Sequence, residues 1–120
     1  MEQTEQYGYI DIDKALIPYR FDITLAGEVF FFDVRYAEPT GLITVDLYDS
    51  DEEPIVFGEP LVYGQPLFDD VVDERLPLNQ LVPFDPSGKT GSITFDNLGD
   101  TVFLFDVSEP LVDDEGSGAL

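Results

Sequence analysis

Residues 19–49 read YRFDITLAGEVFFFDVRYAEPTGLITVDLYD, and apolar side chains recur at every second position in three successive runs. Alternation with a period of two is typical of a β-strand that buries one face. If Ala26-Gly27 is a two-residue hairpin loop, the first two runs pair so that apolar residues face one another. The register then sets Ile23 opposite Phe30, Phe21 opposite Phe32, Tyr19 opposite Val34, and Arg20 opposite Asp33 as an ion pair across the strands.

The loop between the second and third runs is selected by the same requirement. A four-residue loop, 38–41, sets Val34 opposite Val45 and Phe32 opposite Leu47, whereas a five-residue loop would place polar residues there. A shift of one residue moves every side chain to the other face of the sheet, so the buried pattern selects the four-residue loop. The segment therefore predicts a three-stranded antiparallel meander in the N-terminal half of the chain.

The remaining strands are predicted to be short. Candidates are Ile55–Phe57, Leu61–Tyr63, Ser92–Asp96 and Thr101–Val107, and the last is expected to be central because both of its faces carry apolar residues. Asp69–Leu76 is predicted to form a short helical turn, and Asn97–Asp100 a tight turn. The expected fold class is all-β, either a small antiparallel β-sandwich or a partly closed β-barrel.

One aromatic residue of the second run, Phe31, falls on the opposite face from Phe30 and Phe32. An apolar side chain there predicts that this face is also covered, by a second sheet in preference to another subunit. We expect residues 1–15 to be an N-terminal extension, 16–109 the β domain, and 110–120 an acidic flexible tail.

The chain of 120 residues holds 26 acidic and five basic side chains and has a formal net charge of −21. Eighteen of the acids follow residue 41. Without histidine or cysteine, the Ser-His-Asp triad, cysteine nucleophiles and imidazole or thiolate metal sites are excluded. The charge argues against binding to nucleic-acid phosphates or to anionic membranes. A hydrophobic fraction of 43%, with ten Phe and six Tyr, predicts a folded core beneath the acids.

Few motifs in the chain point to chemistry. Gly88-Lys89-Thr90 lacks the glycine that a P-loop needs at position 83, which is proline, so 85–88 is interpreted as a turn with Lys89 in solvent. Pairs of carboxylates suited to general acid–base work are expected by chance among so many acids, and no catalytic residue or cofactor is predicted. Calcium is the only metal considered, as a weak possibility at Asp49, Asp51, Glu52 and Glu53, where EF-hand spacing is absent.

Several short turn-forming motifs occur in a characteristic order along the chain. They are Ile17-Pro18, Leu25-Ala26-Gly27-Glu28, Gly58-Glu59-Pro60-Leu61-Val62-Tyr63-Gly64 with Leu67 behind it, and Phe95-Asp96-Asn97-Leu98-Gly99-Asp100-Thr101. In this order the chain resembles, over residues 16–109, the small phage baseplate plug proteins first named from a cyanophage tail. The resemblance implies no catalytic residues, and it implies that Gly27, Gly58, Pro60, Gly64, Asn97 and Gly99 are turns that define the fold.

The resemblance implies a structural component of a contractile phage tail, a plug at the central baseplate and tail hub. Its partners would be the hub, the tube end and baseplate subunits, in several symmetry-related copies, with no small-molecule substrate. The polar, acidic N-terminus predicts synthesis in the host cytoplasm without a signal peptide, before incorporation into the virion. The alternative is an acidic DNA mimic that inhibits a DNA-binding enzyme. A carbohydrate-binding β domain ranks last because the chain lacks tryptophan and histidine.

Overall fold

The computed structural model describes residues 7–38 and 40–108, in which seven strands form two antiparallel sheets. The strand order is β2-β3-β4-β5 in the larger sheet and β1-β7-β6 in the smaller one. The strands are β1 (Gly8–Ile10), β2 (Tyr19–Leu25), β3 (Glu28–Ala37), β4 (Leu42–Tyr48), β5 (Pro54–Pro60), β6 (Leu81–Phe84) and β7 (Phe103–Asp106). A single 3₁₀ turn, Lys14–Leu16, lies between β1 and β2.

The predicted meander is confirmed as β2, β3 and β4, with the predicted registers at both turns. Phe21 pairs with Phe32, and Val34 lies between Tyr19 on one side and Val45 on the other. The loop after β3 has the predicted length of four residues, of which Pro39 lies outside the described part of the chain. The hairpin at Ala26-Gly27 has positive φ at both residues, as a primed two-residue turn requires.

The core lies between the two sheets and is contributed by one face of each. From the larger sheet come Phe30, Phe32, Val34, Ile43, Val45 and Leu47, and from the smaller sheet Ile10, Leu81 and Leu104. The fold is therefore compatible with the predicted small β-sandwich, and no closed barrel is present in the described residues. The second sheet covers the Phe32 face, so the expectation that it covers Phe31 is wrong. Phe31 is half-buried on the face turned away from it.

The smaller sheet is built from short segments that are far apart in the sequence. β7 is central, as its two apolar faces predict, and it pairs with β1 on one side and with β6 on the other. β1 lies within the predicted N-terminal extension of residues 1–15, and the side chains of Ile10 and Ile12 are buried in the core. Residues 1–6 and the predicted tail of 110–120 lie outside the described residues.

Three of the shorter predicted elements are wrong in their secondary structure. Leu61–Tyr63 is not a strand, because β5 ends at Pro60 and the chain then leaves the sheet. Asp69–Leu76 contains two separate turns, closed by Val71 N–H to the Phe68 carbonyl and Leu76 N–H to the Asp73 carbonyl, in place of a helical turn. Ser92–Asp96 is irregular because Asn97 binds its backbone. The side-chain amide donates to the Ser92 carbonyl, and the Oδ1 atom accepts from Thr94 N–H.

Candidate functional site

The outer face of the larger sheet carries a ladder of alternating charges. Arg20 Nε donates to Asp33 Oδ1 at 2.6 Å, which confirms the predicted ion pair, and Arg35 Nε donates to Asp46 Oδ2 at 3.0 Å. Arg35 Nη2 also lies 3.7 Å from Asp33 Oδ2, so the two ion pairs are linked. The hydrogen bonds from Arg20 hold the pKa of Asp33 below its usual value. The ladder neutralises the centre of this face within the chain.

Asp46 anchors the ladder, and the sequence analysis did not single it out. Its residue exposure is 4%, and its Oδ1 atom accepts a hydrogen bond of 2.8 Å from the Gly58 N–H. Between the pairs Val45–Glu59 and Leu47–Val56, one residue of β4 opposes two of β5, which is a β-bulge. The bulge leaves the Gly58 N–H without a ladder partner, and the carboxylate supplies one.

An aromatic pair adjoins the charge ladder at its edge. The Arg20 guanidinium lies 4.3 Å from the centre of the Tyr48 ring, a cation–π contact. Burial raises the pKa of the Tyr48 hydroxyl. The Phe57 ring contacts Tyr48 edge-on at 6.0 Å, yet Phe57 remains 66% exposed.

The acidic loop of residues 49–53, the candidate calcium site, is a turn stabilised by hydrogen bonds to its own carboxylates. Asp49 Oδ1 accepts from the N–H groups of Asp51 and Glu53, both at 2.9 Å, and Glu52 Oε1 receives Arg20 Nη1 at 2.7 Å. Across residues 7–38 and 40–108, no three acidic side chains gather in a group that could hold a metal ion. Asp49 is therefore a capping residue of its own loop.

The segment that contains Gly88-Lys89-Thr90 includes a turn stabilised by a buried carboxylate. Asp85 is 4% exposed and accepts four hydrogen bonds, from the N–H and hydroxyl groups of Ser87 and of Thr90. These bonds, led by the Ser87 hydroxyl, lower the pKa of Asp85 to about 2. The predicted turn at 85–88 is present, closed by Gly88 N–H to the Asp85 carbonyl at 2.9 Å, and Lys89 is exposed.

The residues assigned to fold-defining turns lie at several separate places in the fold. Gly27 lies in the β2–β3 hairpin, Gly58 in the bulge, Pro60 at the end of β5, Gly64 in the loop after it, and Asn97 and Gly99 in the turn before β7. Gly99 has a φ of +81°, and a Cβ there would meet the Ile12 carbonyl oxygen at 3.4 Å. A glycine at position 99 thus permits close contact between this turn and the segment after β1.

The long loop of residues 61–80 is held by a strained residue that sequence reasoning missed. Phe68 has a φ of +63°, a conformation that is uncommon for a bulky residue. Its N–H donates to Glu59 Oε2 at 2.7 Å, and its buried ring meets Phe32 edge-on at 6.5 Å. Contacts with β3 and β5 compensate the strain at Phe68. Because these contacts form only in the folded chain, no local sequence signal marks the residue.

The outer face of the smaller sheet is aromatic. By register, Tyr9, Val82, Phe84, Phe103 and Phe105 share the face opposite the core. Ring centres are 4.6 Å apart for Phe84 and Phe105, and 4.7 Å apart for Tyr9 and Phe103. Phe105 is 8% exposed but lies outside the main core cluster, whereas Tyr9 is 52% exposed. We call the four rings of Tyr9, Phe84, Phe103 and Phe105 the aromatic face.

Comparisons with known proteins bear on what these surfaces do. No helix in the part of the chain that the structure describes is long and apolar enough to cross a membrane. A search of curated proteins finds no significant match. One family model, described as the cyanophage baseplate Pam3 plug gp18, matches residues 7–109. That span includes both sheets, all seven strands and every turn assigned from the sequence, so the chain belongs to the family of the cyanophage baseplate Pam3 plug protein gp18.

Proposed function

We propose that this protein is a non-catalytic structural component of a contractile phage tail, acting as a plug at the central baseplate and tail hub. The match of residues 7–109 to the plug family carries the proposal, because it spans the whole described fold. Its partners are other tail proteins: the hub, the end of the tube and neighbouring baseplate subunits. The chain is present in several symmetry-related copies and resides in the virion.

The way the chain uses its polar groups supports a structural role. The buried carboxylates of Asp46 and Asp85 accept hydrogen bonds from the backbone and from neighbouring side chains, and thereby hold a bulge and a turn. Glu59 performs the same task for the strained Phe68. These groups stabilise loops between short strands, which a plug needs in order to keep a fixed surface shape.

We also propose where the β domain begins. We include β1 in the β domain, because Ile10 and Ile12 contribute to its core and β1 pairs with β7. The glycine and asparagine turns are interpreted as scaffold residues that set the path of the loops. The DNA-mimic alternative has no specific observation in its favour.

Incorporation into tail particles tests the proposal. A phage that encodes this chain is purified with the gene intact and with the gene deleted, and the tails are analysed by mass spectrometry and by electron cryo-microscopy. We expect the chain in intact tails, density for it at the central baseplate, and incomplete baseplates after deletion. The proposal would be overturned if tails from the intact phage lacked the protein, or if tails from the deletion had normal structure. Salt-sensitive inhibition of a DNA-binding enzyme by the free chain would favour the alternative.

A further inference from the structure

The aromatic face is a cluster of rings that lies outside the main hydrophobic core cluster. The core residues of the smaller sheet, Ile10, Leu81 and Leu104, lie on the other side of the same strands. On the aromatic face, Phe105 is buried and contacts three other rings, whose centres lie 4.6 to 6.0 Å away. Tyr9 leaves half of its surface in solvent. Exposed aromatic groups of this kind are typical of the centre of a protein interface.

The charge of the protein indicates what its partner must carry. The chain holds 26 acidic and five basic side chains, a formal net charge of −21. All three arginines are already paired with carboxylates within the chain. A partner that binds this protein therefore meets a large unbalanced negative charge.

We propose that the aromatic face docks onto another tail protein whose surface has an apolar centre and a rim of lysine and arginine. The inference rests on the proposed function, because it assigns the contact surface of the plug. A partner with this chemistry buries the rings and offsets the net negative charge of the chain at once. A second copy of this chain, docked through the same face, would bring like charges together, and repulsion between them would oppose the contact.

The outer face of the larger sheet supplies a matched control. Phe57 is an exposed aromatic residue like Tyr9, at 66% against 52%, but it lies at the edge of the charge ladder and contacts Tyr48. Tyr9→Ser and Phe57→Ser remove comparable rings from opposite sides of the molecule. The proposal expects only the first substitution to weaken docking.

The test uses the full chain in tails of the phage that encodes it. Each variant is expressed in place of the wild-type protein, and its amount per tail is measured, with melting temperature of the free chain as the check on folding. We expect Tyr9→Ser to lower incorporation about tenfold, an interface loss of about 1.4 kcal/mol, while Phe57→Ser is incorporated normally. Equal incorporation of both variants, or a loss for Phe57→Ser alone, would overturn the proposal.

Cross-linking then identifies the surface in contact. A photoreactive phenylalanine analogue is placed at position 9 or at position 57, the tails are irradiated, and the linked peptides are sequenced. The expected product at position 9 is a tail-protein segment with apolar residues flanked by lysine or arginine. Links from position 9 to a second copy of this chain, or to an acidic segment, would overturn it. If the wild-type chain is absent from tails, the proposed function itself fails, which is a distinct result.

Discussion

The two sheets both have apolar inner faces, but their outer faces differ in chemistry. On the outer face of the larger sheet the arginines and aspartates are paired with one another, because Arg20 and Arg35 bind Asp33 and Asp46 in one connected ladder. On the smaller sheet the outer face consists of rings that contact one another, with Tyr9 half in solvent. We therefore expect the charged face to contribute to the stability of the isolated domain, whereas the aromatic face is the one that we propose for docking.

On the charged side, the strongest effect on stability is expected at Asp46. Asp46→Ala removes the acceptor of the Gly58 N–H and one partner of Arg35, and leaves a polar group of the bulge without a partner. Loss of a hydrogen bond to a buried charged group costs about 1.5–3 kcal/mol. We expect a fall in melting temperature of roughly 10 °C, measured by circular dichroism.

Asp46→Asn is the matched control for that variant. The amide oxygen can still accept from the Gly58 N–H, although the charge that binds Arg35 is lost, so the decrease should be clearly smaller. An alanine variant as stable as the wild type would show that the charge ladder does not stabilise the larger sheet, and the contrast between the two outer faces would fail.

The register of the larger sheet could be predicted because each choice had a visible consequence in the sequence. A slip of one residue would have buried Asp46 against Phe32 in the core, so the position of the apolar residues selected a single loop length. The ion pair of Arg20 and Asp33 then followed without further assumptions.

The smaller sheet gave no comparable signal, because its strands are short and their partners distant. β1 has three residues and β6 four, too few for a period of two to stand out. Pro83 further hides β6, since proline is typical of turns, yet it is tolerated here because β6 is an edge strand. The aromatic face was therefore beyond prediction, although the two apolar faces of β7 did predict a central strand.

The second prediction concerns the dependence of stability on pH. Acid protonates the hydrogen-bonded carboxylates, whereas the rings of the aromatic face do not titrate in that range. Asp85 has a pKa of about 2 in the folded chain against an ordinary value of 3.8, so its ionised form is stabilised by folding. Its contribution is fully present above about pH 4 and is lost as the pH falls towards 2. We expect Asp85→Asn to lower the melting temperature by several degrees at neutral pH.

The difference between wild type and Asp85→Asn should then narrow as the pH falls from about 4 to about 2. Comparing the two proteins at each pH removes the general effect of protonating the other acids, which both share. A difference that stays constant down to pH 2 would contradict the assignment of the four hydrogen bonds to an ionised Asp85.

A third, smaller effect is expected from salt. The net charge of −21 produces repulsion that salt screens over about 8–10 Å, whereas the ladder on the larger sheet is compact and largely neutral. We expect the melting temperature to rise by a few degrees from low to moderate sodium chloride. A variant with Asp51→Asn and Glu53→Gln in the exposed loop should gain less, and a flat profile for the wild type would contradict the idea.

The smallest effect on the isolated chain is expected at Tyr9, although we expect its effect on assembly to be large. Tyr9→Ser removes one half-exposed ring and its contact with Phe103, which is worth about 1 kcal/mol, so the melting temperature should fall by only a few degrees. Phe105→Ser, at a buried ring on the same face, should cost much more. If Tyr9→Ser unfolds the chain as readily as Phe105→Ser does, the aromatic face is part of the domain's own core. A stable Tyr9→Ser protein that no longer enters tails would instead separate folding from docking, since the ring at position 9 would then be needed only when a partner covers it.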